Sequence, residues 1–180
     1  MTDLHQHLLD RHCNLELHRP ILDQEEGVAT FYLWNMSGNL CGYQQYRPDA
    51  GKEKKNNPKE GRYFTMRKSP TVAVFGVESL HLRSDAVFVT LGRFDSCVLT
   101  ERGLPAVAVL SNDPSKDVYN WLHSLGRKVV VVHDNDKAGL RLAKFGDFAV
   151  ATGEKDLGDS TEAEVTNLLQ KVELLLNPMV

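Results

Sequence analysis

Two carboxylates two residues apart, Asp134 and Asp136, carry the most specific chemistry in this chain. They stand in Val129-Val130-Val131-Val132-His133-Asp134-Asn135-Asp136-Lys137-Ala138-Gly139, directly after an apolar run. If extended geometry continues through them, both side chains point the same way at the end of a strand. Hard divalent cations need such a set of oxygens, held close together on a rigid support. Gly139 lets a following helix begin tightly. Three further acids fall near predicted strand ends: Asp95, Asp156 and Asp159. Each has a structural alternative, since Asp95 can cap a helix and Asp156 and Asp159 can be turn residues. His133 either supports the Asp pair or faces the core.

The elements that must position these acids are legible from residue 85 onward. Apolar runs over 86–90, 106–110, 128–132 and 148–151 read as strands buried on both faces. Between and after them, 94–101, 114–125, 138–144 and 161–176 read as helices. Pro114 marks the start of the second, Gly126 its end, and Ser160-Thr161-Glu162-Ala163-Glu164 caps the last. Strands alternating with helices predict an α/β fold, a parallel sheet with helices on both faces. Loops following the strands then lie along one edge, where such folds keep their sites.

Upstream, residues 1–18 predict a short helix, with Leu4, Leu8 and Leu15 on one face and His5, His7, His12 and His18 between them. Runs 28–34 and 40–47 flank the turn Ser37-Gly38-Asn39 and predict a hairpin. Trp34, Tyr43 and Tyr46 alternate with polar residues there and suit either base stacking or packing within a small lobe. Residues 48–61 predict an exposed loop and 62–65 a short strand. The expected division is a helix and small β-rich basic lobe over 1–70, and the α/β unit over 71–180.

The net charge of −3 rules out a surface uniformly coated in positive charge, yet charge is segregated. Between Arg47 and Lys68 eight basic residues (Arg47, Lys52, Lys54, Lys55, Lys59, Arg62, Arg67, Lys68) face three acids, whereas the tail after Glu154 is acidic. Such asymmetry is the footprint either of a surface that meets a polyanion or of a solvated loop. No apolar run approaches a membrane span, and the first residues lack the layout of a secretory signal. Cys13, Cys41 and Cys97 are too scattered for a disulfide framework or a structural zinc site. A reducing, cytoplasmic setting is expected, with no membrane partner.

Asp134-Asn135-Asp136-Lys137-Ala138-Gly139 resembles the Asp-x-Asp-x-Ala-Gly motif of Toprim domains, which bacterial-type primases, topoisomerases and several nucleases share. Phe88-Val89-Thr90-Leu91-Gly92-Arg93-Phe94-Asp95 is similar to the other Toprim motif, a strand ending in Glu-Gly-x-x-Asp, except that Leu91 stands at the Glu position. Lys155-Asp156-Leu157-Gly158-Asp159 resembles the acidic element that follows in primases. The match covers about residues 70 to 160, and the polar hairpin with Arg62-Tyr63-Phe64-Thr65 is similar to the small basic lobe preceding Toprim in primase polymerase cores.

The resemblance implies a Toprim-type core and a catalytic set at Leu91, Asp95, Asp134 and Asp136. Asp134 and Asp136 would hold Mg²⁺ or Mn²⁺, with Asp156 and Asp159 as outer contributors. Lys54, Lys55, Arg62, Arg67, Lys68 and Arg93 would contact phosphate. The implied partners are a single-stranded DNA template and nucleotides, with a replicative helicase or another replication protein beside them. A phage-encoded protein in a bacterial cytoplasm is one such setting. Leu91 can neither ligate metal nor move a proton. It marks an introduced inactive position, a natural homologue that binds without catalysis, or a site where Glu78 or Glu101 substitutes. Primer synthesis, phosphodiester cleavage and non-catalytic binding are therefore three distinct functions consistent with the motifs.

Overall fold

The computed structural model describes residues 1–51, 53, 56–68, 72–111, 113–153 and 155–177. Lys52, Lys54 and Lys55 lie outside the described residues. Two short helices, α1 (Leu4–Asp10) and α2 (Leu15–His18), replace the single N-terminal helix expected. The break falls at His12, whose φ of 60° cannot continue a right-handed helix.

A four-stranded antiparallel sheet follows, in the order β1 (Ile21–Asp23), β2 (Val28–Trp34), β3 (Leu40–Tyr46) and β4 (Tyr63–Arg67). The hairpin matches the expected strands, with Tyr32 opposite Tyr43. The three-residue β1 is too short to show a period in sequence, and its pairing with β2 defines it. The exposed stretch between β3 and β4 includes one 3-10 turn, Pro58–Glu60.

The second sheet is wholly parallel, in the order β6-β5-β7-β8, built from β5 (Ala86–Thr90), β6 (Ala106–Ala108), β7 (Lys128–His133) and β8 (Phe148–Ala151). Its helices are α3 (Arg93–Glu101), α4 (Lys116–Ser124), α5 (Lys137–Ala143) and α6 (Glu162–Leu176). Strand alternation divides them. Phe88, Val130 and Val132 pack with Val98 and Leu99 of α3 and with Val165, Leu168 and Val172 of α6. Val87, Val89, Val129 and Val131 pack instead with Val118 and Leu122 of α4 and with Leu142 of α5. Both faces are covered, as near-continuous apolar strands require.

Two boundaries differ from the expectation. Helix α4 begins after Ser115, which holds the extended N-cap conformation, rather than at Pro114. Strand β6 stops at Ala108 because Leu110 turns into the left-handed region at φ 55°. The capping box on α6 is present as read: Thr161 and Glu164 bond each other's backbone.

The antiparallel sheet does not stand apart. Phe31, Leu33, Cys41 and Tyr46 on its inner face share one cluster with Phe75, Phe94, Cys97 and Ala108. The three cysteines are free thiols, all buried. No helix among the described residues is long and apolar enough to cross a membrane.

Candidate active site

Between the antiparallel lobe and the C-terminal ends of the parallel strands lies a cleft of about 480 Å³. One wall carries Leu91, Asp95, Asp134 and Asp156; Gln44, Tyr63 and Thr65 of the lobe form the other. Each carboxylate follows a different parallel strand. Asp95 sits in the first turn of α3 after β5, Asp134 directly follows β7, and Asp156 follows β8.

Hydrogen bonds fix these segments to one another. The backbone N–H of Gly158 donates to Asp95 Oδ1 at 2.9 Å, and the Thr152 hydroxyl donates to Asp134 Oδ1 at 3.2 Å. Burial pushes the Asp95 carboxyl up to about 7; Asp134 and Asp156 push the same way, and the Gly158 N–H opposes them. Asp134 is raised too, by burial first and then by Asp156, with a smaller push from Asp136. Two carboxyls raised in one cleft, by burial first and by neighbouring carboxylates after it, mark it as a candidate functional site.

The Asp pair does not act as a parallel couple. Strand β7 ends at His133, and Asp136, with φ −125° and ψ 178°, already belongs to the start of the next helix. Asp136 is instead the N-cap of α5, its Oδ1 accepting the Gly139 N–H at 2.7 Å, and only Asp134 lines the cleft. Gly139 is required here, because a Cβ on it would come within 2.0 Å of the Asp134 carbonyl oxygen. The spacing of the motif thus follows from a tight strand-to-helix turn. His133 is buried, and its ring bonds the Asp134 carbonyl at 2.9 Å.

Leu91 lines the cleft and also packs against the Val87–Val89 cluster. Glu78 bonds His18 at 2.5 Å and Glu101 bonds His12 at 2.7 Å, and neither lines the cleft. Asp159 lies outside it as well, paired with Arg11 at 3.3 Å. Among the described basic candidates, the structure brings only Arg93 to the cleft wall. Arg67 donates from Nη2 to the carbonyls of Val109 and Leu110 at 2.8 and 2.9 Å, tying β4 to the end of β6. Arg62 donates from Nε to the Ala50 carbonyl, and Lys68 is exposed beyond β4. Lys54 and Lys55 lie outside the described residues.

Sequence reasoning missed Arg11, Gln44, Thr65 and Thr152. Arg11 lines the cleft with its guanidinium 4.4 Å from the centre of the Phe94 ring. It comes from the end of α1, more than 80 residues before Phe94, and carries no local signal. No family model matches the chain. A curated DNA primase from Thermotoga maritima is 31% identical over 122 residues, which is 67% of this chain and 21% of that protein. A DnaG primase catalytic domain bound to single-stranded DNA aligns over 92% of this chain and 60% of its own, with a TM-score of 0.59 and 15% identity. The fold is that of a primase catalytic core.

The RNA polymerase domain of Mycobacterium tuberculosis DnaG aligns over 92% of this chain and 62% of its own at TM-score 0.61 and 13% identity. The primase fragment of the bacteriophage T7 primase-helicase aligns over 88% of this chain and 66% of its own at TM-score 0.59 and 15% identity. The resemblance to primase polymerase cores thus extends across both the antiparallel lobe and the parallel sheet. The chain spans about a fifth of the curated primase and 60% of the DnaG catalytic domain.

Proposed function

We propose that this chain is a primase-like nucleotidyl-transfer core that works on single-stranded DNA, with Leu91 as its impaired position. One observation carries the reading: Asp95, Asp134 and Asp156, each following a different parallel strand, line a single cleft between two lobes. All are hard oxygen donors, suited to Mg²⁺ or Mn²⁺. Among the described residues no group of three such ligands closes on a common point. An ion there would be held by one or two carboxylates and completed by water and substrate phosphates. Asp134 and Asp156 are the residues that would hold it, while Asp136 caps α5 and Asp159 pairs with Arg11. A bound ion would supply neutralisation of charge on the phosphoryl group being transferred.

The chain's own residues do the rest. Asp95, whose carboxyl burial raises to about 7, is placed to hold or release a proton there. Thr152 fixes the Asp134 carboxylate, and Asp136 sets the turn that presents it. Tyr63 and Thr65 offer hydroxyls across the cleft to a nucleotide or template. A replicative helicase partner belongs to the same proposal.

Non-catalytic binding of nucleic acid is the second reading, favoured by the apolar contacts of Leu91. The deciding test follows synthesis and cleavage on single-stranded DNA with Mg²⁺ or Mn²⁺, comparing the chain with Leu91→Glu. Extension products from Leu91→Glu support the primase reading. Shortened strands would assign a nuclease instead. Retained DNA binding without either product defeats catalysis and leaves the binding module.

A further inference from the structure

We infer that Arg93 and the N-terminus of α3 form an anion subsite that takes a terminal phosphate group without a metal ion. Arg93 is 2% exposed, and its Nε, Nη1 and Nη2 all lack a hydrogen-bond partner. Its guanidinium lies 3.8 Å from the centre of the Phe31 ring, with Phe94 at 5.0 Å, Tyr46 at 5.3 Å and Tyr63 at 5.9 Å. Aromatic faces attract a cation but accept little from its N–H groups, so the donors of the guanidinium remain unused. Burial lowers its pKa, yet a guanidinium stays charged in proteins.

A buried cation is ordinarily matched by a nearby oxyanion. The carboxylates of the cleft do not provide one. Asp95, Asp134 and Asp156 line the cleft, and none of them bonds the guanidinium. The counter-anion is therefore a ligand.

The position supports this independently. Arg93 is the first residue of the nine-residue α3, whose N-cap, Gly92, offers no side chain to the free N–H groups. A helix N-terminus so left open favours an anion. Leu91, Gly92, Arg93 and Phe94 all line the cleft, as do Tyr63 of the cage and Gln44, whose buried Oε1 is also unpartnered. Cage and cleft share this wall. Tyr63, 49% exposed, is the ring of the cage on the cleft side.

A guanidinium fork matches two phosphate oxygens. A buried floor admits the end of a phosphate chain, whereas a diester within a strand carries substituents on both sides. The ligand is thus a terminal phosphate, as in pyrophosphate or a nucleoside polyphosphate. That the phosphate belongs to a nucleotide rests on the function proposed above; the anion site does not.

Titration calorimetry of the full chain with sodium pyrophosphate in EDTA tests the site. Saturable binding is expected, weakened about tenfold or more in Arg93→Met. The same variant should melt at or above the wild-type temperature without ligand, since an unpaired buried charge is gone, and should lose the pyrophosphate-induced rise. Equal affinity in both proteins, or binding only after Mg²⁺ is added, overturns the inference. Should Arg93→Met fail to fold, Arg93→Lys keeps the charge without the fork. A several-fold loss of affinity there supports the site, and none overturns it. Intact pyrophosphate binding beside an inert Leu91→Glu protein would defeat the nucleotidyl-transfer reading alone.

Discussion

The Asp95 carboxylate accepts the backbone N–H of Gly158 at 2.9 Å, across 63 residues of sequence. This bond joins the start of α3 to the segment after β8 and closes one end of the cleft. It also holds a carboxyl whose pKa burial raises to about 7. A folded-state pKa above the unfolded value means that the native protein keeps a proton the unfolded chain has released. The contribution of Asp95 is therefore most favourable below about pH 4 and declines as pH rises to about 7. Asp134 is raised in the same direction. In EDTA, Asp95→Asn should flatten this decline and be more stable than wild type above pH 7, by on the order of 2 kcal/mol. Urea denaturation across pH measures it, and parallel curves for both proteins would contradict the assignment.

Gly139 and Asp134 are in closer contact than any side chain allows. Gly139→Ala would place a methyl group 2.0 Å from the Asp134 carbonyl oxygen, so the turn must open. The expected loss is about 2 to 4 kcal/mol in chemical denaturation. Asp136→Ala should cost about 1 kcal/mol through its lost cap. Asp136→Asn should retain most of that stability, while the Asp134→Asn, Asp136→Asn pair should lose the calorimetric heat of Mn²⁺ binding.

Leu91→Glu restores a carboxylate at the cost of apolar contacts with the Val87–Val89 cluster. The new charge also joins Asp95, Asp134 and Asp156 in the cleft. In EDTA this variant should be about 1 to 2 kcal/mol less stable than wild type. Millimolar Mg²⁺ should recover more of its melting temperature than it adds to the wild-type protein. Identical responses to Mg²⁺ would detach Leu91 from the ion site.

Arg67 is engaged twice with backbone carbonyls, and burial lowers its pKa. Arg67→Ala should destabilise the protein by about 1.5 to 3 kcal/mol. The slope of DNA affinity against salt should stay unchanged. A slope shallower by about one would return Arg67 to the phosphate-contacting set. Charge reversal at Lys54, Lys55 and Arg62 together should weaken single-stranded DNA binding, read by gel shift at fixed ionic strength.

The parallel sheet was readable because each strand is buried on both faces. Val87 to Val89 and Val129 to Val132 are apolar without interruption, and caps such as Thr161 with Glu164 mark helix starts locally. Asp95, Asp134 and Asp156 follow β5, β7 and β8, so the same apolar runs located them along the chain. What sequence did not contain was direction and distance. Asp136 left the cleft because β7 ended one residue before Asp134, allowing a cap on α5 to form. Arg67 became a brace because β4 ends beside the carbonyls of Val109 and Leu110. Arg11 and Gln44 reached the cleft, and Arg93 entered a cage of rings, only when the antiparallel lobe packed on α3. Local pattern determined which residues form strands, helices and caps, because propensity and periodicity act over a few residues. The long-range packing of two sheets decided which charges face one another, because that depends on contacts between segments far apart in the chain.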